Sequence, residues 1–135
     1  SLTFQVNATD GADFNDSLIT STYFYAYHIE ADSSAGMGYD GGLDQAQGAA
    51  YQNIGVSVGN DADQSVSGVL TLYAPSSTTY VKHFVARTNV SHGGDYSDDN
   101  YIAGYINDTT AIDEISFKFS SGNIDAGTIK MFGVS

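Results

Sequence analysis

The sequence has 135 residues, no cysteine and a formal net charge of −12, from 16 acidic and 4 basic side chains. This length predicts one domain, residues 1–135, with a core large enough to need no disulfide or structural metal. The lack of cysteine excludes thiol catalysis and cysteine-based zinc sites. The negative charge argues against nucleic acid or an anionic membrane as a partner, and we find no apolar run long enough to cross a bilayer.

Apolar and polar side chains alternate with period two along most of the chain, which is the pattern of half-buried strands. The alternation predicts about eight strands, at residues 2–6, 23–29, 54–58, 66–73, 80–87, 101–106, 115–119 and 129–134. All but two of the acidic residues are aspartate, which favours turns over helix surfaces. We therefore expect an all-β fold, a single antiparallel β-sandwich of jelly-roll-like form.

Three long segments between these strands read as loops rich in Asp, Asn, Ser and Gly: residues 7–17, 32–47 and 89–100. Long loops in a compact domain are commonly binding loops or disordered segments. They are where we expect contacts with a ligand or a partner.

A possible nucleophile lies in the pentapeptide from Gly55 to Gly59, which matches the G-x-S-x-G pattern of hydrolases around Ser57. That motif requires a strand, a strained turn and then a helix. Here the alternation predicts one strand through Val58, followed by a turn at residues 60–63. We interpret the match as chance and expect no enzyme, with a hydrolase using Ser57 as the least favoured alternative.

The three histidines are the first candidates for metal ligands. His28 and His83 lie in predicted strands without the spacing of a ligand pair. His92 lies in the third loop close to three aspartates, Asp95, Asp98 and Asp99. Such oxygens can bind calcium, yet their spacing fits no calcium-binding loop. We expect a solvated acidic loop there, with no metal and no cofactor.

The most distinctive stretch is residues 120–129, which reads S-S-G-N-I-D-A-G-T-I and precedes Met131-Phe132-Gly133. Gly122 and Gly127 can each supply the positive φ of a tight corner. Two such corners would return residues 128–134 antiparallel beside residues 115–119. Ile124, between the corners, would then plug one end of the core.

This C-terminal motif resembles the C-terminal signature of small structural proteins of tailed, often marine, bacteriophages. Three other segments are similar to the same group: the opening Leu2-Thr3-Phe4 strand with its Asp-rich turn, the Tyr-rich residues 23–29, and residues 68–77. The C-terminal motif is the specific part of the resemblance, and no catalytic residue belongs to it.

The resemblance implies a virion protein assembled in the cytoplasm of the bacterial host, most simply a capsid decoration or cement protein that coats or stabilises the head. Its partners would be other copies of itself, with a trimer favoured, and the major capsid or tail proteins of the phage. The alternative is a tail-fibre or receptor- and glycan-binding tip domain. In that case aromatic side chains near the long loops are the candidate contact residues, namely Tyr39, Tyr96 and Tyr101.

Overall fold

The computed structural model describes residues 1–134, which form a sandwich of two antiparallel sheets, as the alternation predicted. The eight strands are β1 (Leu2–Ala8), β2 (Ile19–Ile29), β3 (Ala35–Tyr39), β4 (Gln52–Gly55), β5 (Val66–Leu72), β6 (Lys82–His92), β7 (Tyr96–Ile106) and β8 (Ile112–Phe119). One sheet has the order β4-β1-β8 and the other the order β3-β2-β7-β6-β5. Within residues 1–134, no helix is long and apolar enough to cross a membrane.

The strand pairing is nested. The first strand pairs with the last and the second with the seventh, while β5, β6 and β7 follow one another as a meander. Among the described residues β5 pairs with β6 alone and β8 pairs with β1 alone, so each keeps one open edge. An open edge presents unpaired N–H and C=O groups to any further strand.

The core lies between the sheets and is built from the alternate side chains that the period-two pattern places inward. It consists of Phe4, Val6, Ile19, Tyr23, Ile54, Phe84, Ala86, Ile102 and Ile106. The rings of Phe4 and Phe84 meet edge to face across the two sheets, with their centroids 5.0 Å apart. Such a contact adds about 0.5–1.5 kcal/mol to the area that the rings bury.

Buried amides tie the segment before β4 to the sandwich. The Gln5 Nε2 donates to the carbonyl oxygens of Ser17, Ala49 and Ala50, each at 3.2 Å. The Gln52 Oε1 accepts from the Ser21 hydroxyl at 2.6 Å. Because a buried amide without partners is costly, these bonds fix where that segment runs.

Several predicted boundaries were wrong. Residues 89–100 are not a loop, because they form the ends of β6 and β7 and the tight turn that joins them, with Asp95 at φ 58°. Residues 32–47 contain the short strand β3, whose Ala, Gly and Met residues carry little strand signal. The strand predicted at residues 54–58 ends at Gly55.

The C-terminal prediction was also wrong in part. Gly122 and Gly127 do have positive φ, at 74° and 148°, as the corners require. However, residues 128–134 form no strand and do not return beside β8. Ile124 is partly exposed and does not plug the core. The eighth strand of the sandwich is supplied by β3 instead.

Candidate functional site

The two sheets differ in strand length, and the difference opens a cleft. In the five-stranded sheet β2, β6 and β7 each have 11 residues, whereas the strands of the other sheet have 4 to 8. The inward face of the five-stranded sheet therefore extends beyond the three-stranded sheet that packs on it. The resulting hollow, of about 440 Å³, is lined mainly by Tyr25, Tyr27, Asp40, His92, Tyr96 and Asp98. We call it the aromatic cleft.

Two strands supply the aromatic walls by simple alternation. Tyr25 and Tyr27 continue the inward face of β2 beyond the buried Tyr23. Tyr96 lies on the inward face of β7, and its ring centroid is 5.8 Å from that of Tyr27 at an angle of 64°. The ring centroids of Tyr25 and Tyr27 are 6.3 Å apart. The rings thus form adjoining walls around one space.

Glycines in β3 make room for these rings. Gly36 and Gly38 pair with Tyr27 and Tyr25 across the strands. A Cβ on Gly38 would lie 2.9 Å from the Tyr25 hydroxyl, and one on Gly36 would lie 3.2 Å from the Tyr27 ring. The two glycines therefore let the tyrosine rings lie flat against β3.

Asp98 is the buried acid of the cleft. It lies opposite Tyr27 across β2 and β7 and is only 3 % exposed. No donor within residues 1–134 reaches its Oδ1. Burial raises the pKa of the Asp98 carboxyl, because desolvation disfavours the charged form. Hydrogen bonding to the Asn100 side chain offsets part of this rise, yet a buried carboxylate with one unpaired oxygen remains costly.

His92 is held as a neutral ring. Its Nδ1 accepts the backbone N–H of Gly94 at 2.9 Å, so that nitrogen carries no proton. Its Nε2 is 2.7 Å from the Tyr96 hydroxyl, and the two rings stack with centroids 3.9 Å apart. Burial lowers the pKa of His92, in agreement with the neutral form. His92 thus holds the Tyr96 ring in place by stacking and hydrogen bonding, and it adds no charge to the cleft.

The three tyrosines named from the sequence do not form one site. Tyr96 lines the aromatic cleft on the inward face. Tyr39 and Tyr101 lie on the opposite, outward face of the same sheet, where both are paired to Phe24. Alternation along β7 separates residue 96 from residue 101, so the three candidate contact residues lie on two different faces of the sheet.

The outward face carries its own continuous row. Cross-strand pairing aligns Tyr39, Phe24, Tyr101, Arg87 and Val69 across all five strands. The Phe24 and Tyr101 rings stack in parallel with centroids 4.8 Å apart, and the Arg87 guanidinium lies 4.8 Å from the Tyr101 centroid. We call this set the outer row.

Asp99 accepts hydrogen bonds from two neighbouring members of the outer row, Arg87 and Tyr101. The Arg87 Nη2 donates to the Asp99 Oδ2 at 2.8 Å, and the Tyr101 hydroxyl donates to the same oxygen at 2.8 Å. The Arg87 guanidinium lowers the pKa of the Asp99 carboxyl. Asp98 and Asp99 are adjacent in sequence, yet they face opposite sides of the sheet and have opposite pKa shifts.

Ser57 lies in a turn rather than in the predicted strand, and its φ of 48° is strained. No helix follows it, and among the described hydrogen bonds its hydroxyl has no basic partner. His92 is nearby, since Val58 forms a bridge to it, but both ring nitrogens of His92 are already engaged. Ser57 therefore shares only the strained φ of a nucleophile elbow. It lacks the helix that should follow and a basic side chain to activate its hydroxyl.

The acidic cluster predicted around His92 is dispersed by the hairpin. Asp95 is exposed in the turn, Asp98 points inward and Asp99 points outward. Within residues 1–134, no group of three or more histidine or acidic side chains is placed to hold a metal ion.

Tyr25, Tyr27 and Asp98 were missed as site residues. The alternation along β2 did place Tyr25 and Tyr27 on the face of Tyr23. It gave no sign that the three-stranded sheet would end before reaching them. Asp98 was read as part of a solvated loop. Only the pairing of β2 with β7 brings the three side chains together.

Comparison with known proteins finds no matching family model, no matching curated protein and no matching solved structure.

Proposed function

We propose that this chain is a virion structural protein of a tailed bacteriophage, a capsid decoration or cement protein that coats the head and stabilises it without catalysis. The resemblance of the C-terminal motif supports this role. The pairing of β1 with β8 and of β2 with β7 is also that of the outer strands of a jelly roll, a fold of viral capsid domains, whereas the β5-β6-β7 meander departs from it.

The C-terminal segment, residues 120–134, is the observation that carries the proposal. It lies outside both sheets, and its apolar side chains are exposed, among them Met131 at 80 %, Phe132 at 78 % and Val134 at 95 %. Exposed apolar surface costs about 25 cal/mol per Å² relative to burial. A segment with this much exposed apolar surface gains free energy when another chain covers it.

The open edge of β8 in a second copy is the site that we assign to this segment. Ile115, Phe117 and Phe119 lie on the inward face of β8 and are only partly buried. Residues 128–134 of another copy, a segment of seven residues, would pair as a strand with this free edge and cover these side chains. Donation from each copy to the next closes a ring, and three copies would give the trimer favoured by the resemblance.

The outer row is the surface that we assign to the major capsid protein. Its Phe24, Tyr39 and Val69 side chains are exposed. Aromatic residues and arginine are enriched at protein interfaces. The acidic loops would then face solvent.

Self-association tests the role of the segment. We expect wild-type protein to form trimers in analytical ultracentrifugation at up to about 100 μM. The double variant Ile129→Asp/Met131→Asp should be monomeric with an unchanged circular dichroism spectrum, because both side chains are exposed. Lys130→Gln, between them, should still form trimers. A wild-type protein that stays monomeric would contradict the assembly mechanism.

Location on particles tests the function itself. Mass spectrometry of purified virions should find the chain in many copies, and antibody labelling should decorate the head. Absence from virions would overturn the virion role. Labelling of the tail tip would instead favour the second candidate, a receptor-binding tip domain, to which the aromatic cleft lends support.

A further inference from the structure

We propose that the aromatic cleft binds an organic ammonium cation, such as a trimethylammonium or alkylammonium group. The inference goes beyond the proposed assembly role, since it uses none of the residues of the C-terminal segment or the outer row. It applies equally to a protein on the head or on the tail.

The cleft offers negative charge without a cation of its own. Asp98 lies at its base with Oδ1 unpaired, and Asp40 lines the same space. A buried carboxylate is stabilised strongly by an opposite charge that enters its site. His92 cannot serve, because Gly94 occupies its Nδ1 and holds the ring neutral.

The basic side chains of the protein are all engaged elsewhere or far from the cleft. Arg87 pairs with Asp99 on the outward face. Lys82 is buried and donates to the backbone carbonyls of Asp108 and Thr110. The Lys118 ammonium lies 3.8 Å from the ring centroid of Tyr51, and Lys130 belongs to the C-terminal segment. No internal lysine or arginine therefore competes for Asp98.

The walls of the cleft suit a cation with carbon around it. Tyr25, Tyr27 and Tyr96 present adjoining rings, and the faces of such rings attract quaternary ammonium groups. The hollow of about 440 Å³ is far larger than a bare metal ion needs, and its size is that of sites for small organic ligands. Ring faces and carboxylates together match a methylated or alkylated ammonium.

The hydrogen-bond inventory favours a cation over a sugar. A sugar needs both donors and acceptors, yet the Tyr27 hydroxyl is bonded to Ser34 at 3.0 Å and the Tyr96 hydroxyl to His92. The Tyr25 hydroxyl is the one tyrosine hydroxyl of the cleft without a hydrogen bond among residues 1–134, and the other open groups are carboxylate oxygens and ring faces.

The test compares choline chloride with 3,3-dimethylbutan-1-ol, which has the same shape and no charge. Both are titrated into the full chain at low salt and followed by the NMR shifts of tyrosine ring protons. We expect saturable binding of choline and at least about tenfold weaker binding of the neutral alcohol. Equal binding of the two, or no saturable binding of choline up to about 50 mM, would overturn the proposal.

Variants locate the binding. Asp98→Asn and Tyr27→Leu should each weaken choline binding about tenfold or more, because one removes the charge and the other a ring wall. Tyr39→Leu on the outward face is the matched control and should bind as wild type does. If methyl glucoside binds in the cleft more tightly than choline, the site is a carbohydrate site and the ammonium assignment is wrong. None of these outcomes depends on whether the chain forms trimers or occurs in virions.

Discussion

Buried polar side chains of this protein fall into satisfied and unsatisfied groups. The Tyr23 hydroxyl donates to the Asn100 Oδ1 at 2.6 Å in the core, and the Lys82 ammonium donates to two carbonyls. Asp98 has no such partner at Oδ1. Polar groups that are satisfied inside a protein contribute stability, whereas an unpaired acid subtracts from it. Four buried side-chain atoms within residues 1–134 lack a partner, and the Asp98 Oδ1 is the only one of the four that belongs to an acid. We therefore expect the largest cost in stability at Asp98, in the aromatic cleft.

Stability measured against pH should reveal this cost. Since the pKa of folded Asp98 is raised above the ordinary value of 3.8, the unfolded chain releases this proton at a lower pH than the folded chain does. The contribution of Asp98 to stability consequently falls as pH rises above 3.8 and is fully unfavourable once pH exceeds the raised pKa.

Asp98→Asn should hence be more stable than wild type at pH 7, by more than the roughly 0.5 kcal/mol scatter of surface substitutions. The difference should shrink below pH 3.8, where the carboxyl is protonated in both states. Urea unfolding of both proteins at several pH values measures it. Asp95→Asn, in the exposed turn, is the control. A variant less stable than wild type at pH 7 would show that Asp98 has a stabilising partner.

At the scale of the element, β7 holds the five-stranded sheet together. It pairs along its whole length with β2 on one side and β6 on the other. Gly104 lies in the middle of this arrangement, opposite Ser21 and Phe84. A Cβ there would overlap the Thr20 carbonyl oxygen and lie 2.9 Å from the Cα of Ser21. The backbones of β7 and β2 approach each other in a way that only glycine permits.

Gly104→Ala should therefore destabilise the protein by about 1–3 kcal/mol, the usual cost of overpacking. Gly41→Ala is the matched control, because a Cβ at Gly41 would meet no atom nearer than the Tyr39 ring at 4.0 Å. Thermal unfolding of the two variants beside wild type compares them. If both substitutions are equally harmless, then β2 and β7 can move apart more easily than this geometry implies.

At the scale of the whole molecule, charge and exposed apolar surface act against each other. A net charge of −12 makes copies repel one another, while the C-terminal segment favours association. Salt screens the repulsion and leaves apolar contacts intact. For the proposed trimer, ionic strength would therefore set the balance between monomer and oligomer.

Raising sodium chloride from about 0.05 M to about 0.5 M should increase the trimer fraction, because the screening length falls to a few ångströms. Sedimentation velocity at fixed protein concentration measures the change. Ile129→Asp/Met131→Asp should stay monomeric at both salt concentrations. An oligomer that dissociates as salt rises would instead be held by ion pairs, and the segment would not be its main contact.

The parts of the fold that sequence predicted are those that depend on local alternation. The faces of β1, β2 and β8 follow from it, as does the sandwich. The prediction failed where polar residues build strands. Residues 89–100 carry Asn, Ser, Gly and Asp, yet they pair because β2 provides a long template for β7. Strand propensity depends on such neighbours more than helix propensity does.

The sequence by itself determined an all-β chain, its strong negative charge, the lack of cysteine chemistry, and two glycine corners near its end. Tertiary structure decided which side chains meet. Pairing of β2 with β7 placed Asp98 opposite Tyr27. The shorter strands of the facing sheet left the aromatic cleft beside them open. It also decided that residues 128–134 stay outside the sandwich. Register and strand length are long-range properties, because they depend on contacts between residues far apart in the chain.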